Sequence, residues 1–250
     1  MFTVEQRDAV RERLLRLAED DERVVAGAVV GSLALGSGDR FSDLDLTFAV
    51  ADDAAVADVL EDWTRTLVAE FEAVHLADLE RGATIYRVFL LPNALQFDLS
   101  MTPAAQFRAG GPRFRLLFGE TADEPRFPTP PDAVDLFGWG VIYALHSRSC
   151  IERERLWQAE HYVGAVRDHA LALACLRAGV PAVQARGYDD LSAETLARFA
   201  RTHVASPEPD LLREALAASV EALLHEAKVA QIPHADTVAE RLAELASTSS

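Results

Sequence analysis

Apolar and polar positions in the first half of the chain change period several times, which predicts a mixed α/β region. Val4, Val10, Leu14, Leu15 and Leu17 recur at helical spacing over residues 4–20, with Thr3 and Gln6 placed to form a capping box. Val24 to Val30 is a continuous β-branched and alanine-rich run ending at Gly31, the pattern of a buried strand that leads into a turn. Leu44 to Val50 reads as a second strand, followed by a helix whose apolar stripe is Val56, Leu60, Trp63, Leu67 and Phe71, with Asp52 or Asp53 available as its cap. Ile85 to Leu91 and Leu95 to Met101 read as strands joined through Pro92-Asn93, which predicts an antiparallel hairpin and a mixed sheet.

Beyond a proline-rich connection with Pro125, Pro128, Pro130 and Pro131, almost everything follows the helical period. Helices are expected over roughly 132–148, 151–178, 193–204, 210–230 and 236–247, with Asp210 and Asp236 as caps of the last two. Gly179 and Pro181 give the 151–178 segment a clear stop. The expected organisation is an α/β domain over 1–120, a connection over 121–131 and an all-α bundle over 132–250. The Ser-Thr-Ser-Ser tail is expected to fray.

Composition narrows the function classes. A formal net charge of −16 argues against nucleic acid as the main partner, because such binding draws its affinity from Lys and Arg on phosphates. The only lysine is Lys228, and the arginines form no basic run. An acidic surface favours cationic small molecules, and it also simply keeps a protein soluble. No segment approaches the ~20 apolar residues of a membrane span, and the first residues lack the basic start and apolar stretch of a signal peptide. A cytoplasmic setting without membrane partners is therefore expected. Cys150 and Cys175 read as small buried hydrophobes rather than a disulfide or zinc framework.

The chemistry lies just after the first strand. Side chains alternate faces along a strand, so Asp43 and Asp45 point together while Leu44 and Leu46 point into the core. Two adjacent carboxylates disfavour each other's ionisation, and a hard divalent cation is the usual remedy. Mg²⁺ suits one or two carboxylates, waters and substrate phosphate oxygens, so the pair forms half of a metal site that a nucleoside triphosphate would complete. In Leu95-Gln96-Phe97-Asp98-Leu99, Asp98 takes the polar face. If that strand neighbours 44–50, three carboxylates meet, enough for two cations roughly 3.5 to 4 Å apart. Asp98 could also accept the proton of an attacking hydroxyl.

Gly31 and Ser32 supply a close backbone approach and hydrogen-bond donors for phosphate. Ser42 is either a further phosphate contact or a turn residue. No Walker A sequence occurs, and Gly31, Gly36 and Gly38 do not match the dinucleotide fingerprint.

The run GSLALGSGDRFSDLDL from Gly31 to Leu46, with Asp98 in LQFDL, resembles the signature of the polymerase-β-type nucleotidyltransferases. The spacing and the serine before Asp-x-Asp look like their antibiotic-modifying branch, which adenylylates aminoglycosides or lincosamides. The resemblance covers about the first 120 residues, and the helical half agrees with it only in character. It implies ATP or another nucleoside triphosphate, Mg²⁺ held by Asp43, Asp45 and Asp98, and Ser32 on the triphosphate. The implied reaction moves a nucleoside monophosphate onto a hydroxyl of a small molecule in a cleft between the domains, with antibiotic resistance as the associated role. An acid from the helical domain can serve such enzymes as general base or hold a cationic acceptor; Glu160 in Ala159-Glu160-His161-Tyr162 is the candidate, with a salt bridge as its plain alternative.

Arg153, Arg155 and Arg167 are secondary candidates for phosphate, and the histidines show no metal-ligand spacing. Two other readings stand beside the transferase on a small molecule: an antitoxin-type enzyme that AMPylates a protein, and a nucleotide-binding module without catalysis. Neither the acceptor nor the oligomeric state follows from the sequence.

Overall fold

The computed structural model describes residues 1–36, 38–122 and 124–247. Ser37 in the spacer, Asp123 in the connection and the tail beyond Ser247, which was expected to fray, lie outside them. The chain divides into two units, Met1–Pro128 and Thr129–Ser250.

The first unit opens with helix α1 (Val4–Asp20), closed at its start by the expected capping box. Thr3 Oγ1 accepts from Gln6 N–H (3.2 Å), and Gln6 Oε1 accepts from Thr3 N–H (2.9 Å). Strand β1 (Val24–Val30) leads into a 3₁₀ turn over Gly31–Leu35, and β2 (Leu44–Val50) follows. Helix α2 (Val56–Phe71) starts after Ala55 with no side-chain cap, so neither Asp52 nor Asp53 has the expected role. Asp52 instead accepts a hydrogen bond from Ala105 N–H (3.4 Å), because the chain needs one more turn before its helix begins.

Strands β3 (Val74–Arg81), β4 (Thr84–Leu91), β5 (Leu95–Pro103) and β6 (Phe114–Phe118) complete a six-stranded sheet in the order β3-β4-β5-β2-β1-β6. The β4–β5 hairpin turns through Pro92-Asn93-Ala94 as the sequence predicts, with Asn93 and Ala94 left-handed. Strand β2 runs parallel to β5 and the other pairings are antiparallel, so the sheet is mixed. Two strands go beyond the periodic segments. Every residue of β3 is exposed and it pairs only with β4, so no buried face marks it in the sequence. Strand β6 is five residues long, too short to show a period.

One face of the sheet is covered and the other is not built the same way. Leu44, Leu46, Phe48 and Val50 of β2 pack with Phe97, Leu99 and Met101 of β5 against Leu14 of α1 and Leu60, Trp63 and Leu67 of α2. Most of them are among the largest fully buried side chains of the unit, and their transfer from water, about 25 cal/mol per Å² of apolar surface, fixes the register of both strands. The alternate residues, including Asp45 and Asp98, must then take the opposite face.

The second unit is helical. Its elements are α3 (Ala133–Glu152), α4 (Leu156–Ala178), α5 (Ala193–Ala197), α6 (Pro209–Val229) and α7 (Ala235–Ser247). Helices α3, α4 and α6 enclose Phe137, Val166, Ala170, Ala174 and Leu223. Gly140 is needed there, since a Cβ would come within 2.8 Å of Leu223. The chain leaves helical geometry at Arg153–Arg155, where Glu154 is left-handed, so α3 runs longer and α4 starts later than their periods suggest. The 193–204 segment is broken into α5 and a 3₁₀ turn over Ala200–Thr202. Asp210 and Asp236 lie inside the first turns of their helices instead of capping them, although an acid there still suits the helix dipole. Among the described residues no helix is long and apolar enough to cross a membrane.

Candidate metal and nucleotide site

The parallel pairing of β2 with β5 sets Asp45 directly opposite Asp98. Asp43 sits one residue ahead of β2 and joins them: each of Asp43, Asp45 and Asp98 offers a carboxylate oxygen within 4.8 Å of the other two. All three are half-buried. The β2–β5 register brings Asp45 and Asp98 together and the residue just ahead of β2 adds Asp43, so the three acids that the sequence singles out meet.

Burial chiefly lifts the Asp98 carboxyl above its ordinary value; a hydrogen bond from Gln96 Nε2 (2.9 Å) opposes the shift, and the negative charge of Asp43 adds to it. Gln96 is a contact the sequence reading did not single out. Its position two residues before Asp98 on the same strand puts it on the same face, which was the available signal.

The Gly31–Leu35 turn borders the acids. Gly31 is left-handed at φ +71°, and a Cβ there would overlap Asp45 Oδ2. Any other residue would be strained by its backbone and would also collide with the carboxylate. Ser32 lies in the same turn and is half-buried. Gly36 ends the turn in left-handed conformation. Arg115 Nε donates to Ala34 O (3.3 Å) and Gly31 N–H donates to Arg113 O (3.2 Å), which tie the turn to β6 and the loop before it.

Ser42 is engaged within its own loop. Its hydroxyl donates to Asp39 Oδ1 (3.1 Å) and accepts from Asp39 N–H (3.0 Å), while Phe41 N–H donates to the same carboxylate (2.9 Å). These hydrogen bonds, the Phe41 N–H contact foremost, hold the Asp39 carboxyl below its ordinary range. The loop is fastened from outside by Arg7, whose Nη1 donates to Asp39 O (2.7 Å) and Ser42 O (3.1 Å). Arg7 is 3% exposed. It shares the inward stripe of α1 with Leu14 and Ala18, and a charge in register with that stripe was the signal that could have revealed it.

Glu160 belongs to the second unit, on the first half of α4, and is half-buried. Next to it His161 and Tyr162 join a run of ring contacts with Tyr143, His146 and His169. Arg167 pairs with Asp168 (3.5 Å).

No protein-family model and no curated protein sequence matches the chain. Among solved structures it aligns with an aminoglycoside 6-adenyltransferase from Bacillus subtilis, over 98% of each chain, at 13% identity and a TM-score of 0.42. A superposition that loose transfers no activity from one protein to the other.

Proposed function

We propose that the protein is a nucleotidyltransferase that moves a nucleoside monophosphate from a triphosphate, ATP in the first instance, onto a hydroxyl of a small molecule. The observation that carries this reading is the convergence of Asp43, Asp45 and Asp98 beside a glycine turn. Three carboxylate oxygens within 4.8 Å, with one carboxyl already lifted by burial and by a like charge, suit hard divalent cations such as Mg²⁺. When bound, such cations supply charge neutralisation at the phosphate and at the entering and leaving oxygens.

The chain's own residues contribute orientation. The Gly31 backbone, free of a Cβ, allows phosphate oxygens close to the Asp45 carboxylate, and Ser32 offers a hydroxyl from the same turn. Ser42 serves by shaping the loop that ends at Asp43. The acceptor hydroxyl attacks the α-phosphorus; the new O–P bond forms as the bond to pyrophosphate breaks, and the hydroxyl proton leaves to a carboxylate. Asp98 is suited to that proton because burial holds its carboxyl above the ordinary value, which makes it a better base than an exposed aspartate. Glu160 is the alternative base, or the hold for a cationic acceptor.

The test is incubation of the full chain with Mg²⁺, each nucleoside triphosphate and a panel of aminoglycosides and lincosamides, read as a nucleotidyl mass increment on the acceptor. A modified small molecule that disappears with Asp45→Asn supports the reading. An increment on a co-purified protein in place of the small molecule would favour protein AMPylation. Nucleotide binding without any transfer would favour a binding module.

A further inference from the structure

Resting on the reading of Asp43, Asp45 and Asp98 as a metal site, we propose that Arg7 is a positioning residue that sets where the Asp43 carboxylate stands. The three acids are not held alike. Asp45 and Asp98 face each other inside the β2–β5 ladder, whose register begins at Leu44 and Phe97. Asp43 precedes that ladder, so its place depends on the Asp39–Ser42 turn directly before it. This turn is closed by Ser42 N–H to Asp39 O (3.3 Å) and by the Asp39–Ser42 side-chain bonds. Among the described residues it is joined to α1 by Arg7 Nη1, which bridges the carbonyls of Asp39 and Ser42 at the two ends of the turn.

As a stabiliser alone, Arg7 would be a poor choice. Its buried Nε makes an ion pair with Asp8 Oδ1 at 3.6 Å, too long for a hydrogen bond, and among the described residues neither atom has a hydrogen-bond partner. A desolvated guanidinium with an unsatisfied N–H is costly, and an unbranched apolar side chain of similar length would fill the space without that cost. What the apolar side chain cannot do is hold two carbonyl oxygens at once. Fixing both ends of the turn restricts the backbone from which Asp43 projects, and a metal site loses affinity when one ligand wanders.

The test uses Mn²⁺ titrated into the full chain, with free Mn²⁺ read by electron paramagnetic resonance well below the melting temperature of every protein used. Wild type should bind, and Asp45→Asn should lose that binding. Arg7→Met should bind on the order of 10-fold more weakly. Arg7→Lys should recover part of the loss, because an ammonium can donate to both carbonyls. Wild-type affinity in folded Arg7→Met overturns the positioning role and leaves the metal reading intact. No Mn²⁺ binding by wild type sinks the metal reading and the role of Arg7 with it. Should Arg7→Met fail to fold, Asp39→Ala loosens the same turn from its exposed side, and unchanged affinity there overturns the proposal.

Discussion

Asp21 and Asp98 belong to the same unit, yet one carboxyl is driven down and the other up. Asp21, at the end of α1, receives both arms of Arg23 (2.9 Å each) and the Trp63 indole N–H (2.9 Å). The Arg23 hydrogen bonds are the main cause that holds it at about 2, against a smaller opposing effect of burial. Arg23 also donates to Asp62 (2.7 Å) and is itself raised, so this cluster is neutralised from within the fold. Asp98 accepts from the Gln96 amide and has another acid nearby, and it shifts the opposite way. On the proposed function, the contrast separates an acid that holds the fold together from one placed to meet a cation. Natural sites of the second kind give up stability for function.

Three substitutions and one titration would sharpen or break that contrast. The largest effect is expected for Asp45→Asn, which should reduce nucleotidyl transfer on the order of 10³-fold or more by removing charge from the metal site. Its melting temperature should stay near wild type, and substantial activity in the folded variant would break the assignment. Asp21→Ala should do the reverse. It leaves Arg23 and the Trp63 N–H without their acceptor and should lower stability by about 2 kcal/mol in urea unfolding, a figure reduced from that of a fully buried pair because Arg23 is partly exposed. Transfer at permissive temperature should be unchanged.

Asp98→Asn should also lower transfer, but its unfolding free energy should rise slightly, by under about 1 kcal/mol, because a half-buried carboxylate beside another acid is replaced by a neutral amide. A clear loss of stability would show that Asp98 is already compensated in the apo protein. The smallest effect is an acid titration. Asp21 has a folded pKa of about 2 against an ordinary 3.8, so its contribution is present above pH ~4 and is lost as pH falls from ~4 toward ~2. Asp21→Ala should flatten the stability profile in that window, and an unchanged profile would refute the assignment.

Much of the arrangement was legible because it depends on short-range rules. The capping box of α1 needs only Thr3 and Gln6 at their spacing, and the hairpin needs only Pro92-Asn93 between two apolar runs. The end of α4 at Gly179 is likewise local, since a left-handed residue satisfies the last carbonyls. Other features were hidden for equally physical reasons. Strand β3 has no buried face to reveal it, and the α3–α4 break lies at a left-handed glutamate with no glycine or proline to mark it. The caps proposed at Asp52 or Asp53, Asp210 and Asp236 were each misplaced by a few residues, because several acids compete for a helix start and packing chooses where the first turn begins.

The sequence by itself determined which side chains share a face. Period-two alternation sends Leu44 and Leu46 one way and Asp45 the other, and the same rule applies to Phe97, Asp98 and Leu99. Only the tertiary structure decided that β2 lies parallel to β5 with Asp45 opposite Asp98, since strand neighbours are chosen by packing Phe48, Phe97 and Trp63 into one core. Only it placed Gly31 against Asp45 and brought Arg7 to a loop more than thirty residues away. Alternation is a property of the local backbone, whereas juxtaposition depends on the apolar surface buried by the whole unit.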